Sequence, residues 1–225
     1  MDENKICFIS CVTNDEQYNE SVLFLKNLNL PEDMQAEFLS VRGAASMTGG
    51  YNQAMRASDA KYKVYLHQDV FVIEKNAIIN CIKFFKNNSD YGLLGLAGCC
   101  KLPDSGKWWK AQECTGLMAH SFLDEEVSVK LYGKMEADHQ AVEAVDGVFM
   151  MTQYDLPWRA DLFTGWHFYD ISQSMEFRRA GYKVAVLRQE KPWCIHESEE
   201  KSLGDYNIWR EKFLQEYGQE LNFEA

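Results

Sequence analysis

One polar triplet, set into an otherwise apolar run, constrains the fold of this chain more than any other feature. The run reads Val64-Tyr65-Leu66, then His67-Gln68-Asp69, then Val70-Phe71-Val72-Ile73. Short apolar runs of this kind are strands covered on both faces, the environment of a parallel sheet between helices. A carboxylate placed there is costly unless it is paired, hydrogen-bonded or bound to a metal. In an open α/β sheet, ligands bind beyond the carboxyl ends of the central strands. The triplet is therefore expected to end a central strand and to form a cation and ligand site, with Asp69 as the best metal ligand. If the strand continues, His67 shares side-chain parity with Asp69 and faces the same site.

The rest of the chain supplies the partners such a strand needs. Residues 5–12 read as a buried first strand, and Thr13-Asn14-Asp15 offers a cap to a helix carrying Tyr18, Val22, Leu25 and Leu28. A second strand, 36–41, ends at Arg42-Gly43, and Gly49-Gly50 is read as a turn opening a short helix that runs to about Ser58. After the triplet, Ile78, Ile79, Ile82 and Phe85 mark an amphipathic helix, and 91–97 a fourth strand. Strand and helix in alternation predict a mostly parallel sheet built from right-handed βαβ units. The second half is less regular. Strands are expected near 115–120, at 142–152 with a break at Asp146-Gly147, at 182–187 and up to His196. Helices are expected over 168–180, stopped by Gly181, and around Trp209, Phe213 and Tyr217, with Gly218 just beyond. With no repeat or linker, a single domain over 1–225 is expected.

Composition narrows the function classes. A 46% hydrophobic and 13% aromatic chain supports a large core, which excludes a disordered protein. A net charge of −11 argues against nucleic acid or an anionic membrane as the general partner. No apolar stretch approaches the ~18–20 residues of a bilayer span. The seven cysteines form no CxxC pair and sit in apolar contexts, so buried free thiols are expected rather than a disulfide frame. Met1-Asp2-Glu3-Asn4-Lys5 lacks the shape of a signal peptide, and a cytoplasmic location is expected.

An ordered set of motifs extends over most of the chain. Thr13-Asn14 follows the first strand, and Gly50-Tyr51-Asn52-Gln53-Ala54-Met55 precedes the strand of the triplet. Then come Val145-Asp146-Gly147-Val148-Phe149, Gly165-Trp166-His167-Phe168-Tyr169-Asp170, Arg179-Ala180-Gly181-Tyr182-Lys183-Val184 and His196-Glu197-Ser198. In this order they resemble the GT-A fold glycosyltransferases, specifically the family-2-like bacterial members. The resemblance implies an α/β GT-A fold with a central mostly parallel sheet flanked by helices, its nucleotide-binding half about 1–97 and its acceptor-side half about 98–225. It implies sugar transfer from a nucleotide-diphosphate donor, with a UDP-sugar first in line, to a saccharide or other hydroxyl acceptor. The triplet lies where that family's DxD motif falls, with His67 in place of the first acid.

The resemblance also implies roles. Asp69 and the late His196 hold the metal, and one imidazole with carboxylate and phosphate oxygens suits Mn²⁺ better than Mg²⁺. The polar loop Glu197-Ser198-Glu199-Glu200 is placed to close over a nucleotide. Asp170, at a helix start near the acceptor pocket, is the general base of an inverting transfer, with a plain helix cap as the alternative. Thr13, Asn14, Arg42, Asn52, His67 and Gln68 are nucleotide contacts, although Arg42 reads equally as a surface arginine. Trp108, Trp109 and Trp166 offer an apolar platform for a sugar or a lid on the core. Asp146 and Gly147 form either a sugar contact or a turn, and His167 orients the acid or touches acceptor. Two rival functions remain: a nucleotidyltransferase on the same scaffold, for which residues 8–15 lack the glycine-rich basic loop, and a non-catalytic sugar-nucleotide binder.

Overall fold

In the computed structural model, residues 1–121, 127–197 and 204–221 are described. The first half contains β1 (Asp2–Val12), α1 (Asp15–Lys26), β2 (Gln35–Arg42), α2 (Met47–Ala57), β3 (Ala60–Leu66), β4 (Val70–Val72), α3 (Ala77–Asn87), β5 (Tyr91–Gly95) and β6 (Ala97–Cys99). The second half adds β7 (Cys114–Ser121), β8 (Ser128–Gly133), β9 (His139–Val142), β10 (Ala144–Val145), β11 (Phe149–Thr152), α4 (Tyr169–Arg179), β12 (Lys183–Leu187), β13 (Cys194–Glu197) and α5 (Tyr206–Leu221).

A seven-stranded sheet in the order β2-β1-β3-β11-β5-β12-β9 forms the frame. β1 runs parallel to β2 and β3, and β12 runs parallel to β5, while β11 and β9 are antiparallel to their neighbours. Alternate residues of β1 supply two different cores. Ile6 and Phe8 join the cluster containing Ile78, Phe85 and Phe213, whereas Cys7, Ile9 and Cys11 join Met47, Tyr51 and Trp158 on the other face. This is the double burial expected of a continuous apolar strand.

A second sheet, β10-β6-β7-β13-β4 with β8 added to β7, lies beside the first. It accounts for the largest departure from the sequence expectation. The run around the triplet is two strands: β3 ends at Leu66 in the first sheet, and β4 begins at Val70 in the second. The same change of sheet occurs between β5 and β6, at Leu96, and between β10 and β11, at Asp146-Gly147-Val148. Backbone hydrogen bonds tie these places together. Asp146 N donates to Ala97 O at 2.8 Å, His67 N to Val148 O at 3.4 Å and Glu197 N to Asp69 O at 2.9 Å.

Two further expectations are corrected. Gly49 and Gly50 lie inside α2 rather than in a turn before it, since Ser46 caps the helix through its side chain to Gly49 N. Gly50 is there for clearance: a Cβ would stand 2.4 Å from Cys11 Sγ, so α2 could not lie so close on β1. Gly218 does not end the last helix, which continues to Leu221. Gly181 does stop α4, with a left-handed φ of 86°. All seven cysteines are free thiols. Among the described residues, no helix is long and apolar enough to cross a membrane.

Candidate active site

The converging sheet changes open onto a cleft with two adjoining parts. One part, about 600 Å³, is lined by Cys11, Thr13, Met47, Gln68, Asp69 and Asp205. The other, about 500 Å³, is lined by Trp108, Trp109, Asp146, Gly147, Asp170 and Tyr206, among others. His67, Trp166 and His167 border both.

At the junction, the triplet meets the end of β13. His67, Asp69 and His196 each bring a ligand atom to within 4.8 Å of the others. Asp69 Oδ1 lies 3.5 Å from His196 Nε2 and 3.9 Å from His67 Nδ1, and the two imidazole nitrogens are 3.4 Å apart. Asp69 is only 3% exposed, so its charge has little help from bulk water. A donor set of one carboxylate and two imidazoles, with room for ligand oxygens, fits Mn²⁺ better than Mg²⁺, which prefers oxygen ligands. The parity argument fails here because the strand does not continue, yet the turn brings His67 and Asp69 together all the same.

The donor-side residues divide into two groups. Thr13 and Gln68 line the cleft, and the Gln68 Oε1 accepts the backbone N–H of both Thr13 and Asn14, at 2.7 and 2.9 Å. Gln68 thus fastens the β1 loop to the triplet. Asn14, Arg42 and Asn52 do not line the cleft, and their side chains do other work. Asn14 caps α1 by accepting from Glu16 N and Gln17 N. Exposed Arg42 pairs with Asp15 at 2.6 Å. Buried Asn52 makes both of its amide bonds to the backbone of Trp158, at 2.8 and 2.9 Å.

The other side is aromatic and acidic. Trp108 is buried and packs on Tyr132 at 4.9 Å, while half-open Trp109 packs on Tyr206 at 5.7 Å. Trp166 is exposed at the rim, and the His167 ring stands edge-on to Tyr206 at 5.4 Å. Phe168 caps α4 in the left-handed conformation, with φ 62°. A bulky residue held there costs about 1–3 kcal/mol and marks a place where the surroundings dictate the backbone. Here Phe168 is clamped by Tyr206 and Phe213, at 5.0 and 5.4 Å, so that His167, Tyr169 and Asp170 all reach the cleft.

Asp170 sits in the first turn of α4, after the cap rather than at it. Burial on its protein side and the nearby Asp146 carboxylate push it up to about 7, against the pull of the backbone amides of Ile171 and Gly147. Asp146 is also raised by burial, opposed by the Val148 amide, which donates to its Oδ1 at 2.9 Å, and by His196 and His120. Two carboxylates in one partly dry pocket disfavour each other's ionisation. His120, opposite His196 in the β7–β13 register, is lowered by burial and by His196.

His120, Tyr132, Tyr169 and Tyr206 also line the cleft, and none of them stands out in the sequence as a site residue. Tyr169 stands within the quoted motif beside Asp170, which was a usable signal. The other three reach the site through strand register or the last helix. Of the loop placed over the nucleotide, Glu197 ends β13, and Ser198, Glu199 and Glu200 lie outside the described residues.

Comparison with known proteins adds a family and a fold. The sequence profile described as "Glycosyltransferase like family" matches residues 7–217. No curated protein sequence matches the chain. Among solved structures, it is similar to the mannosyltransferase PcManGT from Pyrobaculum calidifontis, determined with GDP-Man and Mn²⁺. That match has 10% identity and a TM-score of 0.59, covering 99% of this chain and 65% of the other. It is similar also to S. aureus TarS 1–349 in complex with UDP, at 10% identity and a TM-score of 0.58, covering 98% of this chain and 66% of the other. The chain thus spans slightly under two thirds of the length of either neighbour. At this identity, the likeness is one of fold.

Proposed function

The chain belongs to the glycosyltransferase-like family and has the GT-A fold, and from that premise we propose that it transfers a sugar from a UDP-sugar to a hydroxyl acceptor with inversion. The carrying observation is the cleft itself: a His-Asp-His cluster with the spacing to hold a metal ion at the junction of two pockets, and a carboxylate of raised pKa on the far side.

The part lined by Thr13, Gln68 and Asp69 takes the nucleotide, and the aromatic part takes the acceptor. His67, Asp69 and His196 would hold Mn²⁺, which when bound would neutralise the diphosphate charge and favour departure of the nucleoside diphosphate. Trp109 and Trp166 flank the acceptor ring, while Asp146 and His167 contact its hydroxyl groups. Asp170 takes the acceptor O–H proton as that oxygen attacks the anomeric carbon. The bond from that carbon to the diphosphate breaks in the same displacement, so one inversion results. A base that titrates near the working pH is efficient at this task. In its neighbours, UDP is bound by TarS and GDP-Man by PcManGT, so a GDP-sugar is the second donor to try.

Incubation with a panel of UDP- and GDP-sugars tests this reading without knowledge of the acceptor. Slow release of nucleoside diphosphate from one or a few donors is expected, water standing in for the acceptor. Binding with no release from any donor would favour a non-catalytic sugar-nucleotide binder.

A further inference from the structure

Tyr169 has no part in the scheme above, yet it touches the metal cluster from behind. It is 4% exposed, and its ring packs edge-on to Tyr51 at 5.9 Å and against Trp158 at 6.2 Å. Its hydroxyl is hydrogen-bonded to His67 Nε2. The other nitrogen of that imidazole, Nδ1, faces His196 Nε2 at 3.4 Å and Asp69 Oδ1 at 3.9 Å.

A neutral imidazole carries one N–H, and the partner on one nitrogen decides which nitrogen keeps its lone pair. Ligating histidines depend on such a partner to fix ring and tautomer. We propose that Tyr169 is a positioning residue for the metal: its phenol oxygen accepts the Nε2–H of His67, which holds the Nδ1 lone pair toward Asp69 and His196. The inference rests on the metal-assisted reading above and deepens it. It explains how an imidazole serves where the resembling family carries an acid. A carboxylate presents an acceptor oxygen in any protonation-free state, whereas His67 ligates only in one of two tautomers.

Two features of the backbone keep the hydroxyl in place. At Gly147, a Cβ would stand 2.1 Å from Tyr169 Oη, so only a glycine lets the Asp146-Gly147 turn pass this close. The left-handed Phe168 starts α4 at the angle that puts Tyr169 under His67 while Asp170 faces the acceptor pocket. One helix start therefore serves both the metal and the base.

The test begins with the metal-free protein, labelled with ¹⁵N-histidine and read by long-range ¹H–¹⁵N correlation. His67 is expected to carry its proton on Nε2. Tyr169→Phe, which removes the oxygen and keeps the ring, should abolish that tautomer preference and weaken Mn²⁺ binding by about ten- to a hundredfold in an electron paramagnetic resonance titration. A proton found on Nδ1 of His67 in the unsubstituted protein overturns the proposal, and this measurement does not depend on the variant folding. A folded Tyr169→Phe protein that binds Mn²⁺ as tightly as the parent overturns it too, leaving the metal site standing. An unsubstituted protein that binds no Mn²⁺ overturns the metal-assisted reading and this inference together.

Discussion

The two sides of the cleft use their polar side chains in opposite ways. On the donor side most are already committed to the fold. Gln68, which lines the cleft, holds the Thr13 and Asn14 amides, while Asn14, Asn52 and Arg42, set back from the lining, cap α1 and bind Trp158 and Asp15. On the acceptor side, Asp146 and Asp170 share a pocket of aromatic rings in which burial raises both carboxyl groups. The first side is thus tied to the fold by hydrogen bonds, and the second holds two carboxyl groups that burial disposes to keep their protons. Under the proposed function, the difference puts donor recognition on the turn bearing the triplet and reactivity on the start of α4.

The sharpest way to break this comparison is Asp170→Asn. Asparagine keeps the shape but takes no proton, so transfer should fall by roughly 10²-fold or more, within the range of general-base contributions, while donor affinity is unchanged. Donor affinity falling in parallel would mean that the two sides do not divide the work. The variant should also alter stability in a known direction. A carboxyl whose folded pKa is raised from 3.8 to about 7 contributes stability below its unfolded pKa that is lost as pH rises through about 7. Asp170→Asn should therefore gain stability relative to the parent between pH 4 and pH 7, as read by denaturant melts.

Asp146→Asn has a smaller effect that sharpens the same contrast. The acid limb of the pH–rate profile should fall near pH 7, because Asp170 must be ionised to act. Removing the neighbouring charge should move that limb to lower pH, with the profile of donor binding unmoved. A limb that stays in place would show that burial alone, not Asp146, sets the base.

The sequence reveals these two sides unequally. Strands such as β1 and β5 are legible because burial on both faces leaves continuous apolar runs, α1 because of its cap and spacing, α3 because of its spacing and α4 because Gly181 stops it. The changes of sheet at 67–69, 96 and 146–148 are not legible, since an apolar run reads the same whether it stays in one sheet or crosses to another. β8 escapes notice because Val129 and Leu131 face solvent, so it lacks a buried face to announce it. Within the site, Asp69, Asp170 and His196 stand out as polar groups against apolar or helix-starting contexts. Tyr132, His120 and Tyr206 carry no such contrast, because a lone aromatic or histidine in a strand or at a helix start reads as structural until register and helix docking place it. Arg42 and Asn52 stand after a strand and in a helix, positions that fit ligand contact, and in the structure their side chains bind Asp15 and Trp158.

The most direct test of the account is calorimetry of UDP binding in Mn²⁺ and in EDTA, on the parent protein and on Asp69→Ala. The account requires that Mn²⁺ tighten UDP binding by at least about tenfold, or about 1.4 kcal/mol, and that Asp69→Ala erase the difference. Equal UDP affinity with and without metal in the parent protein would contradict it, and would return His67, Asp69 and His196 to a polar cluster that only closes the turn between the two sheets.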